Sequence, residues 1–405
     1  MPHEIRTRGI LEGTSLAVFL ALVHTVNDAI TAILGALLPT LQERFEVGPT
    51  TLALIVAVFW ISSSVTQPLL GSLAEDIGLR TVAALGVLAS AVFLSLVGVA
   101  PELWILFALL VIGGLGSAAL HPVGTTIAAA STRGNRAVGV GLFTAGGMIG
   151  FALGPVLILF LVSRHGTGAT PWLMVPGVLL AAAVYLLLPD WRPHGRRRFG
   201  AMLDRELLFG PVGALALAGS FTSIAFVTFT STLPLWLVNE HGYATHATTI
   251  GWTLAVFALS AGVGAVVGGT LAPLLGRGRT IVGALMLATV PLGIVVASTP
   301  GSLGFFLASA AAGALLFVPS SVKVVIAQEL APHSPAAASG MILGVSSAVA
   351  GALYIALGRL QETIGLEAGM VVGFAMVLPA AVIAAIVLRR SPSLASLPSL
   401  STTTS

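Results

Sequence analysis

Residues 16–41 read LAVFLALVHTVNDAITAILGALLPTL. The run is apolar and long enough to cross a bilayer as a helix, which takes about 20 residues. Near its middle stand His24, Asn27 and Asp28. Spacings of three and four put all three on one helical face. A charge at mid-depth in a membrane costs about 2.5–3.5 kcal/mol on insertion scales, so this face is expected to meet a wet cavity or a partner. One reading is a polar knot that ties helices together. The other is a proton or substrate site, and an ionisable group at the centre of a span favours it.

Composition extends this reading to the whole chain. Of 405 residues, 56% are hydrophobic and only 8% charged, against about 25% charged in a soluble domain. The expectation is an all-α integral membrane protein. The basic pI of 9.9 would suit nucleic acid, but the basic residues are scattered over short loops, so a nucleic-acid partner is excluded. The absence of cysteine excludes disulfides, thiolate metal sites and iron–sulfur clusters. The first span is not a cleavable signal peptide: it is too long, Asp28 interrupts it and no small-residue cleavage site follows. The single lysine, Lys323, follows Val322, so there is no Walker A motif, and neither His-Glu-x-x-His nor Gly-x-Ser-x-Gly occurs. No catalytic residue and no cofactor are expected, and the chain does not read as an enzyme.

Twelve apolar spans follow one another, at 15–40, 50–74, 81–99, 102–130, 137–163, 171–189, 208–238, 247–275, 280–298, 301–331, 335–360 and 367–388. Short loops with Gly, Pro or charge divide them. The one long hydrophilic stretch, 190–207, holds Arg192, Arg196, Arg197, Arg198 and Arg205 and reads as a cytoplasmic linker between six-span units 1–189 and 208–390. The tail 391–405 is Ser/Thr/Pro/Leu-rich and reads as disordered. With both termini in the cytoplasm, the inner segments hold fourteen arginines and the outer loops only Arg44, Arg164 and Arg359. The positive-inside rule demands this asymmetry and an even number of spans agrees with it.

The halves repeat. Gly71-Ser-Leu-Ala and Gly78-Leu-Arg80 follow span two; Gly269-Thr-Leu-Ala and Gly276-Arg-Gly-Arg279 follow span eight. Pro39 recurs as Pro234, and Pro122 of span four as Pro319 of span ten. Parallel six-span halves joined by a linker are one of the repeat architectures found in secondary transporters.

The layout resembles the major facilitator superfamily. Its loop motif between spans two and three is matched in degenerate form by Gly71-Ser-Leu-Ala-Glu75-Asp76-Ile-Gly78-Leu-Arg80, and its antiporter motif of span five by Gly146-Gly147 through Gly150, Gly154 and Pro155. His24-Thr-Val-Asn27-Asp28, Gln67-Pro68-Leu-Leu-Gly71, His121-Pro122 and Ala327-Gln328-Glu329-Leu-Ala-Pro332 bring it closer to the fosmidomycin-resistance family of bacterial efflux proteins. Three departures stand out, one of them Glu75-Asp76 in place of the loop motif's acidic-basic pair. Leu110 occupies the place of the span-four arginine of drug antiporters, and Lys323 sits in span ten where a neutral residue is expected.

The resemblance implies two pseudo-symmetric six-helix bundles, with spans one, four, seven and ten around a central cavity. It also implies proton-driven export of small drugs or metabolites from the cytoplasm, by a monomer in the cytoplasmic membrane. Asp28, His24 and His121 are then the proton-coupling groups. Asn27, His121, Lys323 and Thr228 are substrate contacts, and a cationic cavity favours anions. Gly71, Asp76, Arg80, Gly150, Gly154 and Pro155 take conformational roles. The small-xxx-small spacing of the span-five glycines suits close packing. Each polar group also has a plainer reading: His121 bonded to a backbone carbonyl, Lys323 snorkelling, and the span-seven hydroxyls bonded back to their own helix. Two other functions use the same cavity: uptake or exchange of an organic anion, and divalent-metal transport with His24, Asp28 and His121 as ligands.

Overall fold

Among the described residues, twelve helices are long and apolar enough to cross a membrane: α1 Gly13–Phe45, α2 Pro49–Gly71, α3 Leu79–Val99, α4 Leu103–Ser131, α5 Gly139–His165, α6 Thr167–Leu187, α7 Pro211–Asn239, α8 Thr248–Leu275, α9 Arg277–Ala297, α10 Leu303–Leu330, α11 Ala338–Ile364 and α12 Leu366–Arg390. Each falls on one of the twelve expected spans. The computed structural model describes residues 11–131, 136–189, 205–331 and 335–390, and among them there is no strand. The core of the expected linker, 190–204, and the tail 391–405 lie outside the described residues. The helices alternate in direction, so the start of α1 and the end of α12 share one face, the terminal face. The α1–α2 turn lies on the far face.

Local chemistry sets the helix ends. Pro49 and Pro211 open α2 and α7, where the missing N–H costs nothing. Ser302 caps α10 by accepting from the Phe305 N–H. Gly78 and Gly276, at equivalent places in the two halves, have φ of +118° and +88°. Each closes one helix and opens the next in a conformation that favours glycine. The internal repeat is therefore a repeat of backbone geometry.

Three helices differ from the sequence expectation. α2 is interrupted at Val65 and Thr66 and continues as Gln67–Ile77. α7 and α11 contain π-turns at Thr228–Thr232 and Met341–Val345. One extra residue in a turn leaves hydropathy unchanged, so the spans stayed legible while these bulges did not.

Within the first half α1 packs on α5 and α4, and α4 packs on α2 and α3. Within the second half α8 packs on α10, α9 on α10 and α12, and α7 on α11 and α12. The halves meet through α1–α7, α2–α11 and α5–α8. These contacts tighten toward the far face. There Asn239 Nδ2 donates to Gln42 Oε1 at 2.8 Å and the Thr50 N–H to Glu362 Oε1 at 3.0 Å. Gly35 lies so close to α7 that a Cβ on it would stand 2.3 Å from the Thr230 carbonyl oxygen. Toward the terminal face α2 and α11 part around a cleft of about 400 Å³, lined by Ile61, Ser64, Gln67, Gly340, Val345 and Ala348.

Candidate functional site

The polar face of α1 turns into the first bundle, toward α4 and α5. Glycines on α5 make this approach possible. A Cβ on Gly146, Gly150 or Gly154 would lie 2.2, 2.3 or 2.1 Å from the carbonyl oxygen of Ala21, Thr25 or Ala29 respectively. Two four-residue ladders thus lie backbone to backbone, as small-residue helix pairs in membranes do. Thr25 Oγ1 adds a bond across them to the Gly146 carbonyl, 2.9 Å. Gly147 leaves room for the site itself: a Cβ there would stand 2.5 Å from His24 Cε1 and 2.8 Å from Asp28 Oδ2.

Three titratable side chains meet in that space. His24 Nε2 lies 3.0 Å from Asp28 Oδ2. His121, from α4, places its Nε2 3.3 Å from His24 Nε2 and 3.7 Å from Asp28 Oδ1. Asn27 Nδ2 donates to Asp28 Oδ1 at 2.9 Å and to Ser117 Oγ at 3.1 Å, fixing the carboxylate. The Phe143 ring stacks on His24 at 4.0 Å.

The outer nitrogens fix the tautomers. His24 Nδ1 lies 2.6 Å from the Phe143 carbonyl oxygen and His121 Nδ1 2.8 Å from that of Ser117. A carbonyl only accepts, so each Nδ1 carries the hydrogen and donates it. Each neutral ring then presents a bare Nε2 to the other and to Asp28. Two nitrogen lone pairs and a carboxylate, all acceptors, converge with no donor among them. Such a group holds together only when something positive is shared inside it, a proton or a cation. Solvent reaches it unevenly: the His121 side chain is 30% exposed, while those of His24 and Asp28 are 8% and 5% exposed. His121 is the outward member of the three.

A family model, the Major Facilitator Superfamily, matches residues 20–354. The chain belongs to that superfamily. It is 25% identical over 378 residues to the fosmidomycin resistance protein of Escherichia coli (strain K12), covering 89% of this chain and 88% of that one. It is 23% identical over 374 residues to the hexuronate transporter of the same strain, covering 82% and 83%. Its fold matches the crystal structure of a bacterial homolog to the human lysosomal transporter Spinster in an inward-facing and occupied conformation. That match has a TM-score of 0.77 at 16% identity, over 95% of this chain and 98% of that one. As a Major Facilitator member the chain is a multi-pass membrane protein and a secondary transporter, acting on a small molecule.

The remaining expected residues are distributed around this frame. Lys323 is buried in α10 and makes no hydrogen bond or ion pair with any described residue. It belongs to the second bundle and is not brought into contact with the His24 group. Thr228 lies in the α7 π-turn, fully buried, where its Oγ1 would stand 2.3 Å from a Cβ on Gly373 of α12. It is packed between helices of the second bundle, against Gly373 of α12, away from the charged group. Thr222 and Thr230 bond back to the carbonyls of Ala218 and Phe226, the plainer reading of that polar run. Gly71 packs on the Pro122 ring, Asp76 is exposed, and the Arg80 guanidinium lies 4.9 Å from the Tyr185 ring centroid. Pro155 sits where α5 meets α8: a Cβ on Gly251 would lie 3.1 Å from its carbonyl oxygen.

Sequence reasoning did not single out Ser117, Phe143 and Gly147 for this site. Ser117 was within reach, since it stands one helical turn before His121 on the same face. Phe143 acts chiefly through its backbone carbonyl, which leaves no mark in a sequence.

Proposed function

We propose that this chain is a proton-coupled secondary transporter that exports a small anionic or polar molecule across the cytoplasmic membrane by alternating access, as a monomer with both termini in the cytoplasm. The observation that carries the coupling is the convergence of His24 Nε2, His121 Nε2 and Asp28 at 3.0–3.7 Å with both Nδ1 atoms committed to carbonyls. One proton held between His24 Nε2 and Asp28 Oδ2 turns the closest contact, 3.0 Å, from repulsion into a hydrogen bond. His121, the exposed member, passes it to and from the cavity. When the helices shift, the contacts that hold the proton change and it leaves on the other side.

The orientation is supported by the arginine asymmetry. It places the Gln42–Asn239 and Thr50–Glu362 clasps outside, so this conformation is sealed toward the exterior. Substrate charge is argued from Lys323, a buried cation with no hydrogen-bond or ion-pair partner among the described residues, which favours an anionic guest. Two relatives agree with this: fosmidomycin is a phosphonate and a hexuronate is a carboxylate.

The test is Asp28→Asn in reconstituted vesicles. The asparagine amide supplies the donor that the shared proton supplied and keeps the size, so the variant imitates the permanently protonated state. Exchange of substrate across the membrane should persist, while accumulation driven by a pH gradient should vanish. Full gradient-driven transport by the variant would overturn the coupling role.

A further inference from the structure

The same three acceptors have the geometry of a metal site. We propose that His24, Asp28 and His121 bind a divalent transition ion of the zinc class in place of the shared proton, bridging α1 and α4. Four-coordinate zinc holds nitrogen and oxygen ligands at about 2.0–2.1 Å, which sets neighbouring ligands about 3.3 Å apart in a tetrahedron. The two Nε2 atoms are 3.3 Å apart, Asp28 Oδ2 lies 3.0 Å from His24 Nε2, Asp28 Oδ1 lies 3.7 Å from His121 Nε2, and one ligand atom from each residue lies within 4.8 Å of the other two, close enough for one ion to draw them together. The rings stand at 89° to one another, so their lone pairs enter from different directions, as tetrahedral ligands do.

The surroundings match as well. Metal-binding histidines donate their other ring N–H to a carbonyl or carboxylate, which fixes the tautomer and aims the ring. Phe143 and Ser117 provide those carbonyls here. The carboxylate is held in turn by Asn27. Two imidazoles and one carboxylate suit zinc, cobalt or nickel and disfavour magnesium and calcium, which require six or more oxygens. A fourth position toward the exposed side of His121 is left for water. Binding follows from this geometry alone. Its consequence rests on the proposed function: an ion here excludes the coupling proton and stops gradient-driven transport.

The experiment is titration of the purified full chain with Zn2+ and, separately, with Co2+, whose visible absorption is intense only in four-coordinate sites. One Co2+ per chain with the four-coordinate spectrum is expected, displaced by Zn2+. His121→Gln should weaken Zn2+ binding at least tenfold without altering helical circular dichroism. His246→Gln, in the exposed α7–α8 loop, should leave it unchanged. If His121→Gln does not fold, Asp28→Asn with the same titration replaces it. Absence of stoichiometric binding, a weak six-coordinate spectrum, or equal affinity in the site variants would overturn the proposal. Zn2+ bound at this site without loss of gradient-driven transport would support the metal site and overturn the coupling role instead.

Discussion

Replacing Gly150 by alanine tests the packing that builds the site. The added Cβ would stand 2.3 Å from the Thr25 carbonyl oxygen, where ordinary contact begins at 3.4 Å. The helices α1 and α5 must therefore part by about 1 Å. Gly146 and Gly154 share the same ladder, so local adjustment of one side chain cannot absorb the strain. Overpacking of this kind costs about 1–3 kcal/mol, a fall of roughly 5- to 160-fold in the folded-to-unfolded ratio. The separation also stretches the 2.6 Å bond from His24 Nδ1 to the Phe143 carbonyl. Gly141→Ala, on the same helix with nothing within 4 Å of the new Cβ, is the control and should gain about 0.5–1 kcal/mol from helix propensity. Reversible unfolding in mixed micelles measures both. Equal stability of the two variants would refute the ladder.

Three further outcomes are expected. Gly147→Ala, whose Cβ would meet His24 and Asp28 directly, should cut gradient-driven transport at least tenfold and leave the chain folded; normal coupling would show that the group tolerates displacement. Lys323→Gln should weaken binding of anionic ligands about tenfold while sparing neutral ones, read by ligand-dependent thermal stabilisation; equal effects on both would remove Lys323 from the substrate site. Removing the far-face clasps with Asn239→Ala and Glu362→Ala should favour the state open on that face. A cysteine placed at Ser231, in a chain that has none of its own, should then react severalfold faster with a soluble maleimide, and an unchanged rate would mean the clasps do not hold the seal.

The twelve spans were legible because length and hydropathy alone decide whether a helix crosses a bilayer. The repeat was legible because Gly78 and Gly276 mark the same turn in both halves. The face made by His24, Asn27 and Asp28 followed from spacing, and His121 was expected within its reach, as it is found, but the helix rotation that brings them together was not legible. Helix rotation decides what that face meets, and here rotation is set by the ladder of Gly146, Gly150 and Gly154 against α1. Of the two surroundings expected for Asp28, a wet cavity or a partner, the fold gives it partners and leaves His121 the more exposed side chain. The burial of Thr228 against α12 was not legible for a related reason: it lies in a π-turn, which composition does not reveal.

All of the proposed coupling depends on both imidazoles presenting a bare Nε2 toward Asp28. Solid-state 15N NMR of histidine-labelled protein in bilayers, with His24→Gln and His121→Gln used to assign the two rings, observes this directly. Both rings should carry Nδ1–H, with a single proton shared between His24 Nε2 and Asp28. A bare Nδ1 on either ring, with the hydrogen on Nε2, would contradict the convergence of acceptors and with it the proton site.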